Sequence, residues 1–125
     1  MSRDHSSLAG RRVLLVEDEL LVAMDVEDLL ADLGCEVLES ASTVEQALQR
    51  IVEDSPDVVV LDLNLHGKPT LPVAEALRSA GIPFIVVTGY VETRQSDPAL
   101  HNAPLLQKPC SADELLFNLR KVLNL

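Results

Sequence analysis

The chain has 125 residues, enough for one domain around a single core, and its 47% hydrophobic content argues against disorder. Twenty acidic against ten basic residues give a formal charge of −10, which argues against nucleic-acid binding and docking to an anionic membrane, since both want a basic face. No apolar run approaches the roughly 20 residues needed to span a bilayer, and Met1–Ser7 carry no signal-peptide apolar region. Cys35 and Cys110 form no metal-type spacing and read as reduced thiols, so the expected compartment is the cytoplasm.

Residues 1–10 are polar, end at Gly10 and read as a flexible tail; the folded domain is expected over 11–125. Val13–Val16 is a β-type apolar run that ends in Glu17-Asp18-Glu19. Leu20–Leu33 has helical spacing, with Val22, Val26, Leu29, Leu30 and Leu33 on one face and Asp25, Asp28 and Asp32 opposite. Gly34 follows as a stop. A short strand is expected at Glu36–Ser40, then a helix entered through a Ser42/Glu45 capping box, with Val44, Ala47, Leu48, Ile51 and Val52 inward. Pro56 ends it, and Asp57–Asp62 is a buried strand.

His66–Pro69 reads as a loop, Pro72–Ala80 as a helix closed by Gly81, and Pro83–Thr88 as a fourth strand ending in Thr88-Gly89. Residues 91–102 show little periodicity and predict a poorly formed helix. Leu105–Gln107 is a short strand that leads into Lys108-Pro109. A Ser111/Glu114 capping box opens the last helix, whose inner face holds Leu115, Leu116, Leu119, Val122 and Leu123. Phe117 points away from that face, as a candidate contact for a partner.

Strands alternating with amphipathic helices imply a doubly wound α/β fold with a parallel sheet covered on both sides. Ligands in such sheets sit at the carboxyl ends of the strands. Glu17, Asp18, Asp62, Thr88 and Lys108 all fall there. Two unit charges about 4 Å apart cost on the order of 4 kcal/mol at an effective dielectric near 20. A divalent cation removes that penalty, so the expected chemistry is metal-assisted.

Val-Glu-Asp-Glu at 16–19, Leu-Asp-Leu at 61–63, Val-Thr-Gly at 87–89 and Lys-Pro at 108–109 together resemble the receiver domain of two-component response regulators. The resemblance covers about residues 11–125 and implies a flavodoxin-like five-stranded sheet in the order 2-1-3-4-5. By position, it implies that Asp62 is the phosphoacceptor, served by a phosphohistidine on a sensor histidine kinase or phosphotransfer protein. Glu17, Asp18 and Asp62, with the backbone carbonyl of Asn64, would hold Mg²⁺. Lys108 would pair with Asp62 and then with a phosphoryl oxygen, Thr88 would turn its hydroxyl to the phosphoryl group, and Lys108-Pro109 would be cis. Asn64 and Tyr90 would flank the path of the hydrolytic water and set phosphate lifetime.

Leu105 stands where most receivers carry Tyr or Phe, which argues against an aromatic switch there. Pro83–Tyr90 is similar to a stand-alone receiver subgroup marked by Phe-Ala-Thr-Gly-x-Tyr, although Val86-Val87 occupies the Phe-Ala place. No output domain is expected within the chain. Its output would be a downstream protein contact, a phosphate sink or a relay, by a monomer or weak homodimer rather than an enzyme. One rival is a degenerate receiver acting as a phosphorylation-independent binding module. The other is an aspartyl-phosphate-forming phosphatase, which wants a second Asp two residues after the nucleophile, where this chain has Asn64.

Overall fold

The computed structural model describes residues 8–65, 67–89, 98–100 and 102–125. Strands β1 (Arg12–Val16), β2 (Glu36–Val37), β3 (Val58–Asp62), β4 (Phe84–Thr88) and β5 (Leu105–Gln107) form one parallel sheet, ordered β2-β1-β3-β4-β5 as the resemblance implies. Helices α1 (Leu20–Asp32), α2 (Val44–Asp54), α3 (Leu71–Ala80) and α4 (Ala112–Val122) cover its two faces.

Alternation along the strands builds two separate cores. Leu14, Val16, Val59, Leu61, Phe84 and Val86 pack with Ala47 and Ile51 of α2 and Val73, Ala74 and Leu77 of α3. Val13, Leu15, Val58, Val60, Ile85, Val87 and Leu106 pack with Ala23 and Leu30 of α1 and Leu115, Leu116 and Leu119 of α4. The central strand β3 is buried on both faces, as its uninterrupted Val-Val-Val-Leu run requires.

The local signals explain most boundaries. Ser111 Oγ accepts from the Glu114 amide while Glu114 Oε1 accepts from the Ser111 amide, the reciprocal pair expected at the start of α4. Gly81 caps α3 at a φ of 71°, in the left-handed region where glycine carries no Cβ penalty. Phe117 is 67% exposed, on the outward side assigned to it.

Several expectations are corrected. The flexible tail does not extend to Gly10: Leu8 is fully buried in the α1/α4 core, so packing begins at least there. The α2 cap is Thr43 rather than Ser42, with Thr43 Oγ1 accepting from the Gln46 amide and Gln46 Oε1 reaching back to the Ser42 amide. Val52 is 79% exposed rather than inward, because it falls past the edge of the α2 core stripe. The second strand shrinks to two residues, although Ala41 still bridges to Val16. The stretch after Asp62 is not a plain loop, because Asn64–Leu65 and Lys68–Pro69 pair as an antiparallel hairpin. The helix expected over 91–102 falls mostly outside the described residues; within them, Pro98–Leu100 is a single 3-10 turn.

Candidate functional site

Register gathers the functional side chains. Val16 lies opposite Leu61, and Asp62 opposite Val87, so Glu17, Asp62 and Thr88 all emerge at one end of three adjacent strands. The Thr88 carbonyl accepts the Lys108 amide at 2.8 Å, which extends the β4–β5 pairing and brings Lys108 to the same edge. The Lys108-Pro109 peptide is cis. Glu17, Asp62 and Lys108 share parity with Leu15, Val60 and Leu106, so they project on the α1/α4 side of the sheet.

Lys108 Nζ sits between two carboxylates, 2.7 Å from Glu17 Oε1 and 3.0 Å from Asp62 Oδ2. The carboxylates are nearly enclosed, with Glu17 4% and Asp62 6% exposed. Burial pushes the Glu17 carboxyl above its ordinary value, against the pull of Lys108. Burial also pulls the Lys108 ammonium down, but its contacts with Glu17 and Asp62 outweigh that and raise it, so Lys108 stays a fixed positive charge. The second Asp62 oxygen, Oδ1, accepts the Asn64 amide at 3.2 Å, and the Glu19 amide donates to Glu17 Oε2 at 3.1 Å.

Glu17, Asp18 and Asp62 each offer a carboxylate oxygen within 4.8 Å of the others. This donor set fits a small hard cation: all three ligands are carboxylate oxygens, and Lys108 contacts Glu17 and Asp62. The structure thus brings together Glu17, Asp18, Asp62 and Lys108. Thr88 is buried at the end of β4, one residue beyond the partner of Asp62, and Asn64 is exposed on the hairpin beside Asp62. Tyr90 lies outside the described residues.

One supporting residue escapes sequence reasoning. Thr70 is 1% exposed, and its hydroxyl donates to the Asp62 carbonyl oxygen at 2.7 Å. In sequence it looks like an ordinary cap for α3, yet its side chain makes no cap bond. The only signal was a Thr eight residues after Asp62, too weak to read. Thr70→Val keeps the shape and removes that bond. It is expected to cost about 1 kcal/mol in urea unfolding, the net worth of a typical hydrogen bond. An unchanged midpoint would show that the bond contributes nothing.

A doubly wound sheet that holds three carboxylates and an ammonium at its carboxyl edge has the architecture of a receiver. The family model described as the response regulator receiver domain matches residues 13–120, and the chain belongs to that family. It is 28% identical over 116 residues to the transcriptional regulatory protein PdtaR of Mycobacterium tuberculosis, covering 90% of this chain and 57% of that protein. It is 26% identical to the chemotaxis protein CheY of Bacillus subtilis, covering 92% of this chain and 99% of CheY. The signal receiver domain of a modulated diguanylate cyclase from Desulfovibrio desulfuricans superposes with a TM-score of 0.83 at 27% identity, over 92% of this chain and 94% of that one. The chain spans about half the length of PdtaR and of DltR from Streptococcus agalactiae. Among the described residues, no helix is long and apolar enough to cross a membrane.

Proposed function

We propose that Asp62 accepts a phosphoryl group from a phosphohistidine of a sensor histidine kinase or phosphotransfer protein, in a Mg²⁺-dependent reaction in the cytoplasm. The phosphorylated chain then signals or relays by protein–protein contact, as a monomer or weak homodimer. The observation that carries this reading is Lys108 Nζ held at 3.0 Å from Asp62 Oδ2 and 2.7 Å from Glu17 Oε1.

In the transfer, an Asp62 carboxylate oxygen forms the new O–P bond as the N–P bond of the phosphohistidine breaks. The electron pair of that bond leaves with the imidazole nitrogen. Catalysis of such a step rests on positioning and on neutralising charge at the phosphoryl oxygens. The Thr70 hydroxyl holds the Asp62 carbonyl, and the Asn64 amide holds Oδ1. Lys108 supplies a positive charge where the incoming phosphoryl oxygens would lie. Thr88 donates its hydroxyl to the phosphoryl group after transfer. Glu17, Asp18 and Asp62, with the Asn64 backbone carbonyl, would hold Mg²⁺, which when bound supplies further neutralisation of the phosphoryl charge.

The experiment is incubation with Mg²⁺ and phosphoramidate or acetyl phosphate, read by intact mass. The wild-type chain is expected to gain one phosphoryl group, and excess chelator or Asp62→Asn to abolish the gain. A wild-type chain that gains nothing would favour the phosphorylation-independent binding module. The exposed Asn64 side chain beside Asp62 is expected to tune phosphate lifetime, so Asn64→Ala should change the rate at which the mass gain decays. Decay at the parental rate would remove Asn64 from that role.

A further inference from the structure

The α1/α4 layer contains a cavity that opens at the carboxylate edge and whose apolar walls phosphoryl transfer does not use. It has a volume of about 340 Å³ and runs from the acidic edge down between α1 and the sheet. Its walls include Leu15 and Val60 from the strands and Val22, Val26 and Leu29 from α1. Those three helical residues carry the i, i+4, i+7 spacing of a core-facing stripe, yet each is only half-buried because it borders this space. The sequence explains the void. The chain has one Tyr, two Phe and no Trp, and among the described residues none of the buried side chains of this layer is aromatic. Phe84 fills the opposite core and Phe117 faces outward. Val, Leu and Ala alone do not close the gap.

The charge at the mouth is mostly negative. Among the described residues, Glu17, Glu19, Asp25 and Asp62 line it against Lys108. A cavity of this size falls in the range of small-molecule sites, with apolar walls and a few convergent polar groups. The geometry points to a binding site for an amphipathic organic cation: an aromatic ring or short alkyl group among Val22, Val26 and Leu29, with a protonated amine at the carboxylate rim. Glu17 and Asp62 belong both to this rim and to the carboxylate nest, so occupancy competes with Mg²⁺ and restrains phosphorylation. That consequence rests on the function proposed above; binding itself does not.

The test uses the full chain with Val and Leu methyls isotopically labelled. It is titrated with 2-phenylethylamine, with the neutral 2-phenylethanol and with the anionic 3-phenylpropionate. Saturable shifts at the Val22, Val26 and Leu29 methyls are expected with the amine. The anion should bind severalfold more weakly, about fivefold for a solvent-screened charge pair of about 1 kcal/mol. Val26→Phe fills the cavity and should abolish the shifts. Asp25→Lys, on the exposed rim, should weaken the amine severalfold and decides the matter if Val26→Phe does not fold. Added Mg²⁺ should raise the apparent dissociation constant of the amine. No saturable shift, equal binding of the three probes, or affinity indifferent to Asp25→Lys would overturn the proposal. Such a failure in a chain that still takes up a phosphoryl group leaves the phosphoacceptor reading intact, and the converse result separates them equally.

Discussion

Lys108→Ala is expected to destabilise the metal-free protein by about 2–3 kcal/mol, and Mg²⁺ to restore much of the loss. Removing one partner of a buried ion pair costs about 3–5 kcal/mol, because the other charge is left enclosed without compensation. The Lys108 side chain is 18% exposed and the Asp62 side chain 8%, so the lower part of that range, discounted for solvent, applies. Here one ammonium serves two carboxylates, and its loss takes that partner from both Glu17 and Asp62. Urea unfolding with and without Mg²⁺ checks it. The wild-type midpoint should rise modestly with Mg²⁺ and the variant midpoint steeply. A variant that unfolds at the wild-type midpoint in chelator would mean that Glu17 and Asp62 do not depend on Lys108.

Leu61→Ala is expected to cost about 3 kcal/mol, within the 2–5 kcal/mol typical of buried Leu truncations. Leu61 is fully buried in the α2/α3 core, directly before Asp62 on the strand flanked by β1 and β4. Few positions in this layer can collapse into the gap, because β3 is held by register on both sides. The urea midpoint should fall with little change in slope, since the same surface is exposed on unfolding. Below the transition, the surviving folded fraction should still take up a phosphoryl group at Asp62. A loss under 1 kcal/mol would show that the core refills, in conflict with the close packing described.

Much of this was legible in sequence for identifiable reasons. The runs Val58–Leu61 and Phe84–Val87 are too apolar for anything but central strands, and each is followed by the polar residue that its strand delivers to the edge. Ser111 and Glu114 announced α4 because a capping box is a local device that needs no tertiary context. What escaped depends on contacts distant in sequence. Leu8 is one apolar residue in a polar stretch, with no period to mark it, and only the assembled α1/α4 core shows where it goes. Thr70 carries the signature of a helix cap, while its partner, the Asp62 carbonyl, lies eight residues upstream. Thr43 and Ser42 are adjacent hydroxyls, and the pair with Gln46 three residues later competes with Ser42 and Glu45 at the same spacing. The opening between α1 and the sheet was hidden because Val22, Val26 and Leu29 read as ordinary inward residues.

The central claim is that residue 62 carries the phosphoryl group. Borohydride reduction of the phosphorylated chain converts an aspartyl phosphate to homoserine, and peptide mass mapping then reports the position. The label is expected at residue 62 alone, in a peptide from wild-type protein treated with Mg²⁺ and phosphoramidate. Homoserine at Asp18 or another carboxylate, with residue 62 still aspartate, would contradict the account.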